Sequence, residues 1–178
     1  VHKNFDGKVP DAGKESNEDK FLKKDLQKFT RSAAEKFETY HFREGALEVM
    51  NLARALNKYF DANEPWKTLK ENPAKCSSTL NRCLQSVRSL AILFEPVIPF
   101  ASARMWKMLN LSGSPSAAGW ESSAAFELKT GHSLGKPEIL FAKIEDEVIQ
   151  KHIEQLGKES LNPVSSNLKP QMRNSFYI

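Results

Sequence analysis

Residues 16–60 read SNEDKFLKKDLQKFTRSAAEKFETYHFREGALEVMNLARALNKYF, and the spacing within them decides the fold. Leu22, Leu26, Phe29, Ala33, Phe37 and Tyr40 step by threes and fours, which places them on one stripe of an amphipathic helix. Ser16 or Asn17 can cap that helix, with Glu18 and Asp19 facing its positive amino end. Phe42, Ala46, Val49, Ala53, Leu56 and Phe60 repeat the step on a second helix, and His41 with nearby Gly45 marks the join.

Outward from this pair, residues 6–16 are rich in Gly, Pro, Asp and Lys and read as a loop. Val1–Phe5 meet Asp6-Gly7 abruptly, like the last turn of a helix begun earlier, so the chain reads as part of something longer. On the other side the chain breaks at Asp61–Glu64, and Pro65 suits the first position of a short helix that Asn72-Pro73 interrupts. A long helix is expected from Ala74 to Phe94, with Leu80, Cys83, Leu84, Val87, Leu90, Ala91 and Phe94 inward. Another follows Pro99, with Phe100, Ala103, Trp106 and Leu109 inward, before the Ser-, Gly- and Pro-rich stretch Ser112–Gly119. Ile139–Phe141 reads as extended chain or a small hairpin arm, and Asp146–Leu156 as a last helix. Strand signals are otherwise absent and no solenoid repeat occurs. The expected fold class is all-α, an antiparallel helical bundle over residues 1–156, with a polar tail or linker over 157–178.

The bulk composition agrees with a globular domain. Of 178 residues, 40% are hydrophobic and 27% charged, and no apolar run approaches a membrane-spanning length. Lys and Arg total 26 against 22 acids, a net charge of +4 that permits an anionic partner without demanding one. The two cysteines, Cys76 and Cys83, read as small apolar residues in a reducing, cytoplasmic setting.

Catalytic chemistry is not visible. His2, His41, His132 and His152 are scattered, so no metal cluster is expected. Residues 130–137 resemble a phosphate cradle in composition only, because Gly135-Lys136 is followed by Pro137, and a surface turn fits better. No Ser lies in a G-x-S-x-G elbow. The feature that draws attention is Trp66, fixed after Pro65 and followed by Lys67 and Lys70. Such a ring can stack an unpaired base while the lysines attract phosphate, or it can simply dock the short helix on the core. Trp106 and Trp120 default to packing.

Asn57-Lys58-Tyr59-Phe60-Asp61-Ala62-Asn63-Glu64-Pro65-Trp66 resembles the N-x-Y-[I/V/F]-D-x-x-x-P-W signature of methionyl-tRNA synthetases. His2–Pro10 is similar to that family's N-[K/R]-x-F-x-G-x-[V/L]-P junction. Residues 135–145 are similar to its p-x-p-L-F-P-[K/R]-I-[E/D] segment, with Ala142 in place of proline. Phe94–Pro99 matches the L-x-P-x-x-P of related synthetases, so the resemblance runs over roughly residues 1–154.

The resemblance implies a helical anticodon-binding domain in which Trp66 stacks on an anticodon base and Pro65 holds it. Asn57 would support that turn, and Lys67, with Lys70 and Arg104, would supply basic contacts to tRNA. The family's anticodon-reading Asn and Arg precede the junction and so fall before Val1; Asn51 and Arg54 have the wrong helix and spacing and are not assigned. His-Ile-Gly-His and Lys-Met-Ser-Lys-Ser, the family's catalytic signatures, are not in the sequence. No cofactor is expected here; ATP, and zinc where the family carries it, belong with the catalytic core of the same polypeptide. Methionine-specific tRNA is the implied partner, with room for oligomerisation through a further carboxy-terminal module. Alternatives are the equivalent domain of a cysteinyl, leucyl, isoleucyl or valyl enzyme, or a helical protein-interaction module.

Overall fold

The computed structural model describes residues 1–160, with side chains through Leu156. Seven α-helices follow one another among them: α1 (Asn17–Glu38), α2 (Phe42–Asn63), α3 (Pro65–Glu71), α4 (Pro73–Leu93), α5 (Pro99–Met108), α6 (Pro115–Ala118) and α7 (Asp146–Ser160). A 3-10 turn over Trp120–Ala124 lies between the last two. Among the described residues there is no β-strand, only an isolated antiparallel bridge between Lys8 and Ser133. The all-α reading therefore holds. No helix among them is long and apolar enough to cross a membrane.

The α1–α2 hairpin forms much as the spacing predicts. Ser16 is the N-cap of α1, and it trades hydrogen bonds with Asp19: Asp19 N–H donates to Ser16 Oγ at 3.1 Å and Ser16 N–H to Asp19 Oδ2 at 3.0 Å. Leu22, Leu26 and Ala33 from α1 are buried, as are Val49 and Leu52 from α2. The ends depart from the pattern: Tyr40 and Phe42 are exposed, because the chain turns at Thr39–His41 and leaves both rings outside the contact. Gly45 is not the joint but a contact inside α2, where a Cβ would lie 2.9 Å from the Phe37 ring.

α4 is where the sequence reading needs correction. Of its expected inward face, Ala91 is buried but Leu80, Cys83, Leu84, Val87, Leu90 and Phe94 are only partly so, while Asn81, Arg82, Gln85, Ser86, Arg88 and Ser89 are buried. The reason is that α4 is central, with neighbours all round. Leu90, Leu93 and Phe94 pack with Leu26, Ala33, Val49 and Leu52 from α1 and α2. Ala91, Ile92 and Val87 pack with Met105 and Trp106 of α5. Leu84 and Val87 also flank a third cluster of Val9, Leu109 and Leu128.

The polar residues of α4 hold down irregular chain. Asn81 Nδ2 donates to Pro10 O at 2.8 Å, Ser77 Oγ to Asp11 O at 2.9 Å and Arg82 Nη2 to Ala12 O at 3.3 Å. Gln85 clamps Leu128 from both sides, donating to its carbonyl at 2.7 Å and accepting from its N–H at 2.9 Å. Arg88 donates to Ser122 O at 2.8 Å and pairs with Glu127. A loop backbone buried against a helix needs such partners, since an unmet buried carbonyl or N–H costs about 1–3 kcal/mol.

In α5 the inward stripe is Ala101, Ser102, Met105, Trp106 and Leu109, whereas the expected Phe100 and Ala103 are exposed. The phase follows the partner surface of α4, not the size of the ring. Val1–Phe5 forms one hydrogen-bonded turn, with Phe5 N–H donating to Val1 O at 2.8 Å. Residues 7–9 pair with 131–134, Val9 N–H donating to His132 O at 2.9 Å and Leu134 N–H to Gly7 O at 2.7 Å. The turn at 130–137 is a surface turn seated on α5: Gly135 N–H donates to Met108 O at 2.9 Å, and a Cβ there would meet Lys107 O at 2.5 Å.

Two compact units divide at Leu140. Ile139–Phe141 takes no hairpin form; Leu140 packs on the α5 cluster while Ile139 is exposed. The second unit contains α7, an amphipathic helix with Val148, Ile149, Ile153 and Leu156 exposed. The expected tail boundary at residue 157 falls inside α7, and 161–178 lie outside the described residues.

Candidate nucleic-acid interface

The corner between α2 and α3 is built from one strained residue and one rigid one. Glu64 closes α2 and opens α3 at once, in the left-handed region with φ 41° and ψ 59°. A non-glycine residue there costs about 1–2 kcal/mol, and standing before a proline restricts it further. Pro65 follows at the first position of α3, buried, with its fixed φ suited to starting the helix. Cys76 of α4 donates from Sγ to Pro65 O at 3.5 Å, and Asn72 caps α4 by accepting from Lys75 N–H at 3.1 Å. The short helix is thus held at both ends.

Beneath the corner lies a polar chain. Asn63 is buried and donates from Nδ2 to Tyr59 O at 2.9 Å, which ties the last turn of α2. Tyr59 donates from its hydroxyl to Asp19 Oδ1 at 2.6 Å. Arg82 Nε lies 3.5 Å from Asp19 Oδ2, close enough for charge but without hydrogen-bond geometry. Burial, the bond to Asp19 and its negative charge push the Tyr59 hydroxyl well above the usual phenol range. Cys83, on the same side of α4, is pushed up to about 12 by burial first and the Asp19 charge second.

Trp66 points outward, 53% exposed. That excludes the alternative in which it is a core ring. Its neighbour is Phe60, on the last turns of α2, with ring centroids 5.7 Å apart and planes tilted by 53°. Lys67 donates from Nζ to Glu64 Oε1 at 2.6 Å, and that bond and the Glu64 charge hold its ammonium above the ordinary lysine range. An exposed pair of this kind is worth little in stability, and it holds the Lys67 ammonium at the Glu64 corner. Lys70 is exposed on the same short helix.

The remaining site expectations separate. Asn57 is exposed and has no side-chain hydrogen bond among the described residues, so support of the turn falls to Asn63. Arg104 is spent elsewhere, donating to Leu140 O at 2.9 Å and Ile139 O at 2.6 Å and pairing with Glu138 at 3.6 Å. Asn51 and Arg54 bond to each other at 2.8 Å on exposed α2. Trp106 and Trp120 do pack: their indole N–H groups donate to Ser112 O at 3.0 Å and Thr30 O at 3.3 Å. The sequence reading missed Asn63, the strained Glu64 and the outward role of Phe60. The break expected over Asp61–Glu64 is narrower in the structure, where α2 runs on to Asn63 and Glu64 alone separates it from α3.

Other candidate sites are poorer. Among the described residues no group of three or more His, Cys, Asp or Glu side chains is placed to hold a metal ion. An apolar groove of about 790 Å³, lined by Phe37, Phe42, Val97 and Trp120, opens at the start of α2. Its α2 residues lie at the amino end of that 22-residue helix, whereas Trp66 follows the carboxyl end. A flat exposed ring on a short helix that also carries Lys67 and Lys70 suits a base and its phosphate, where stacking is worth about 1–3 kcal/mol per base.

Residues 9–160 match the family described as the anticodon binding domain of methionyl tRNA ligase. Methionine–tRNA ligase of Parabacteroides distasonis is 41% identical over 155 residues, 86% of this chain and 22% of that protein. The corresponding ligase of Pyrococcus abyssi is 39% identical over 149 residues, 84% of this chain and 20% of that protein. The chain therefore spans about a fifth to a quarter of the length of the curated relatives it matches. A crystal structure of free Mycobacterium tuberculosis methionyl-tRNA synthetase superposes with a TM-score of 0.74 over 82% of this chain and 29% of that one. At 23% identity that likeness speaks for the fold.

Proposed function

This chain belongs to the anticodon-binding domain family of methionyl-tRNA ligases, and we propose that it serves a methionine–tRNA ligase by stacking Trp66 on a base of the methionine anticodon. The chain is the non-catalytic, anticodon-binding part; activation of methionine with ATP, and any zinc, would reside in the catalytic core of the same polypeptide. A cytoplasmic setting belongs to the same proposal and is supported by two free cysteines, Cys76 and Cys83. The observation that carries the proposal is the exposed Trp66 ring on a corner fixed by strained Glu64 and buried Pro65. Within the site, Trp66 supplies the stacking face, Pro65 holds it, and Lys67 and Lys70 supply phosphate attraction. Asn57, being exposed, is available to the ligand and not to the turn.

The test uses the full-length ligase that carries this chain. Trp66→Ala should lower aminoacylation efficiency on tRNA by roughly ten- to a hundredfold, the loss of one stacked base. ATP–pyrophosphate exchange without tRNA should remain nearly intact. Equal loss in both assays would show that Trp66 acts through stability and would overturn the proposal.

A further inference from the structure

Trp66 lacks what fixes the other two indoles. Trp106 and Trp120 each donate their indole N–H to a backbone carbonyl, whereas the Trp66 indole makes no hydrogen bond among the described residues. Its backbone is anchored through Pro65 and α3, but the orientation of the ring depends on what it touches. The aromatic ring in contact with it is Phe60, at 5.7 Å between centroids with the planes tilted by 53°, within the centroid range of an attractive aromatic pair.

Phe60 is poorly explained as core. The spacing of α2 predicts it inward, yet it is 36% exposed and belongs to none of the three apolar clusters. It sits on the opposite side of the Glu64 corner from Trp66, so the two rings brace the turn from both helices. A stacking ring that is oriented before binding avoids the entropy of being immobilised on binding.

We infer that Phe60 is a positioning residue for anticodon recognition: its ring fixes the plane of the Trp66 indole for stacking. The inference rests on the stacking role of Trp66. Phe60 acts through Trp66, so its effect must vanish when Trp66 is gone. That distinguishes it from a residue whose loss merely loosens the end of α2.

The experiment is a double-mutant cycle in the full-length ligase, reading KM for methionine tRNA, kcat, pyrophosphate exchange and melting temperature. Phe60→Leu keeps the apolar bulk and removes the ring; it should raise KM for tRNA roughly three- to tenfold. Exchange activity, kcat and melting temperature should hold. Phe60→Tyr, which keeps the ring, should restore the low KM. Adding Phe60→Leu to Trp66→Ala should leave KM where Trp66→Ala alone puts it. An unchanged KM in Phe60→Leu, or the same further loss in the Trp66→Ala background, would overturn the inference while leaving the stacking proposal standing. If Trp66→Ala itself leaves KM unchanged, the stacking proposal falls and this inference with it.

Discussion

The inner side of α2's last turns and their outer side put similar residue types to opposite uses. Inside, Tyr59, Asp19 and Arg82 are buried: Tyr59 donates to Asp19, the Asp19 charge faces Arg82, and Arg82 donates to the loop backbone. Outside, Phe60, Trp66 and Lys67 are exposed, with little to satisfy but each other. Tyr59 and Phe60 are adjacent in sequence and face opposite ways, because successive helix positions are about 100° apart. The buried side is costly to disturb and buys fixity; the exposed side is cheap to disturb and is left free to meet a ligand.

The sharpest way to break this contrast is at Asp19. It accepts from Tyr59 and from the Ser16 N–H, and its charge faces the buried Arg82. Asp19→Ala should destabilise the chain by about 3–5 kcal/mol, since it strands a buried guanidinium and removes the side-chain half of the α1 capping box. Asp19→Asn, whose one amide oxygen can still accept from the Ser16 N–H while its Nδ2 donates to the Tyr59 hydroxyl oxygen, should cost clearly less. Urea unfolding of the two variants measures the difference. Near-equal, small effects would show that the inner network is not a scaffold. A loss as large from Trp66→Ala would erase the distinction between the sides.

That asymmetry also explains how much could be read beforehand. The α1–α2 hairpin was legible because each helix has one dry and one wet face, so periodicity and burial coincide. α4 was not, because it is covered on all sides and its polar residues face loops from residues 10–12 and 122–128, distant in sequence. A one-stripe pattern has no way to signal a buried Arg82 whose partner is the carbonyl of Ala12. The site was half legible: Pro65-Trp66 stood out, but whether the ring faced in or out depended on how α3 lands on α4. Asn57 drew the supporting role by resemblance, while the physical support comes from Asn63, six residues nearer the corner.

A second test sharpens the contrast through pH. Cys83 and Tyr59 both keep their protons more firmly in the folded chain than their ordinary values of 9.0 and 10.0. Groups raised in this way add stability that is full below the unfolded value and is lost as pH rises towards the folded one. For Cys83 the window runs from 9.0 to about 12. Stability should fall above pH 9 with a slope approaching about 1.4 kcal/mol per pH unit from this thiol, and Tyr59 should add to it above pH 10. Cys83→Ala should remove the first part of that slope in alkaline urea titrations. An unchanged slope would mean the thiol is not shielded inside the network.

The smallest effect is expected at Glu64, where the two sides meet. Its left-handed backbone costs about 1 kcal/mol or slightly more, and its side chain holds Lys67 in an exposed pair worth about 0–1 kcal/mol. Glycine accepts that conformation freely, although it also gains freedom in the unfolded chain. Glu64→Gly should therefore raise stability by about 0.5–1 kcal/mol, while Glu64→Gln, which keeps the strain and loses the charge, should stay within about 0.5 kcal/mol of the parent. Thermal unfolding of both separates backbone from charge. If glycine destabilises, the corner is held by the Glu64–Lys67 pair, and the outer side carries more of the fold than its exposure suggests. If glycine stabilises, the strain is a cost the fold bears to present Pro65 inward and Trp66 outward across a single residue.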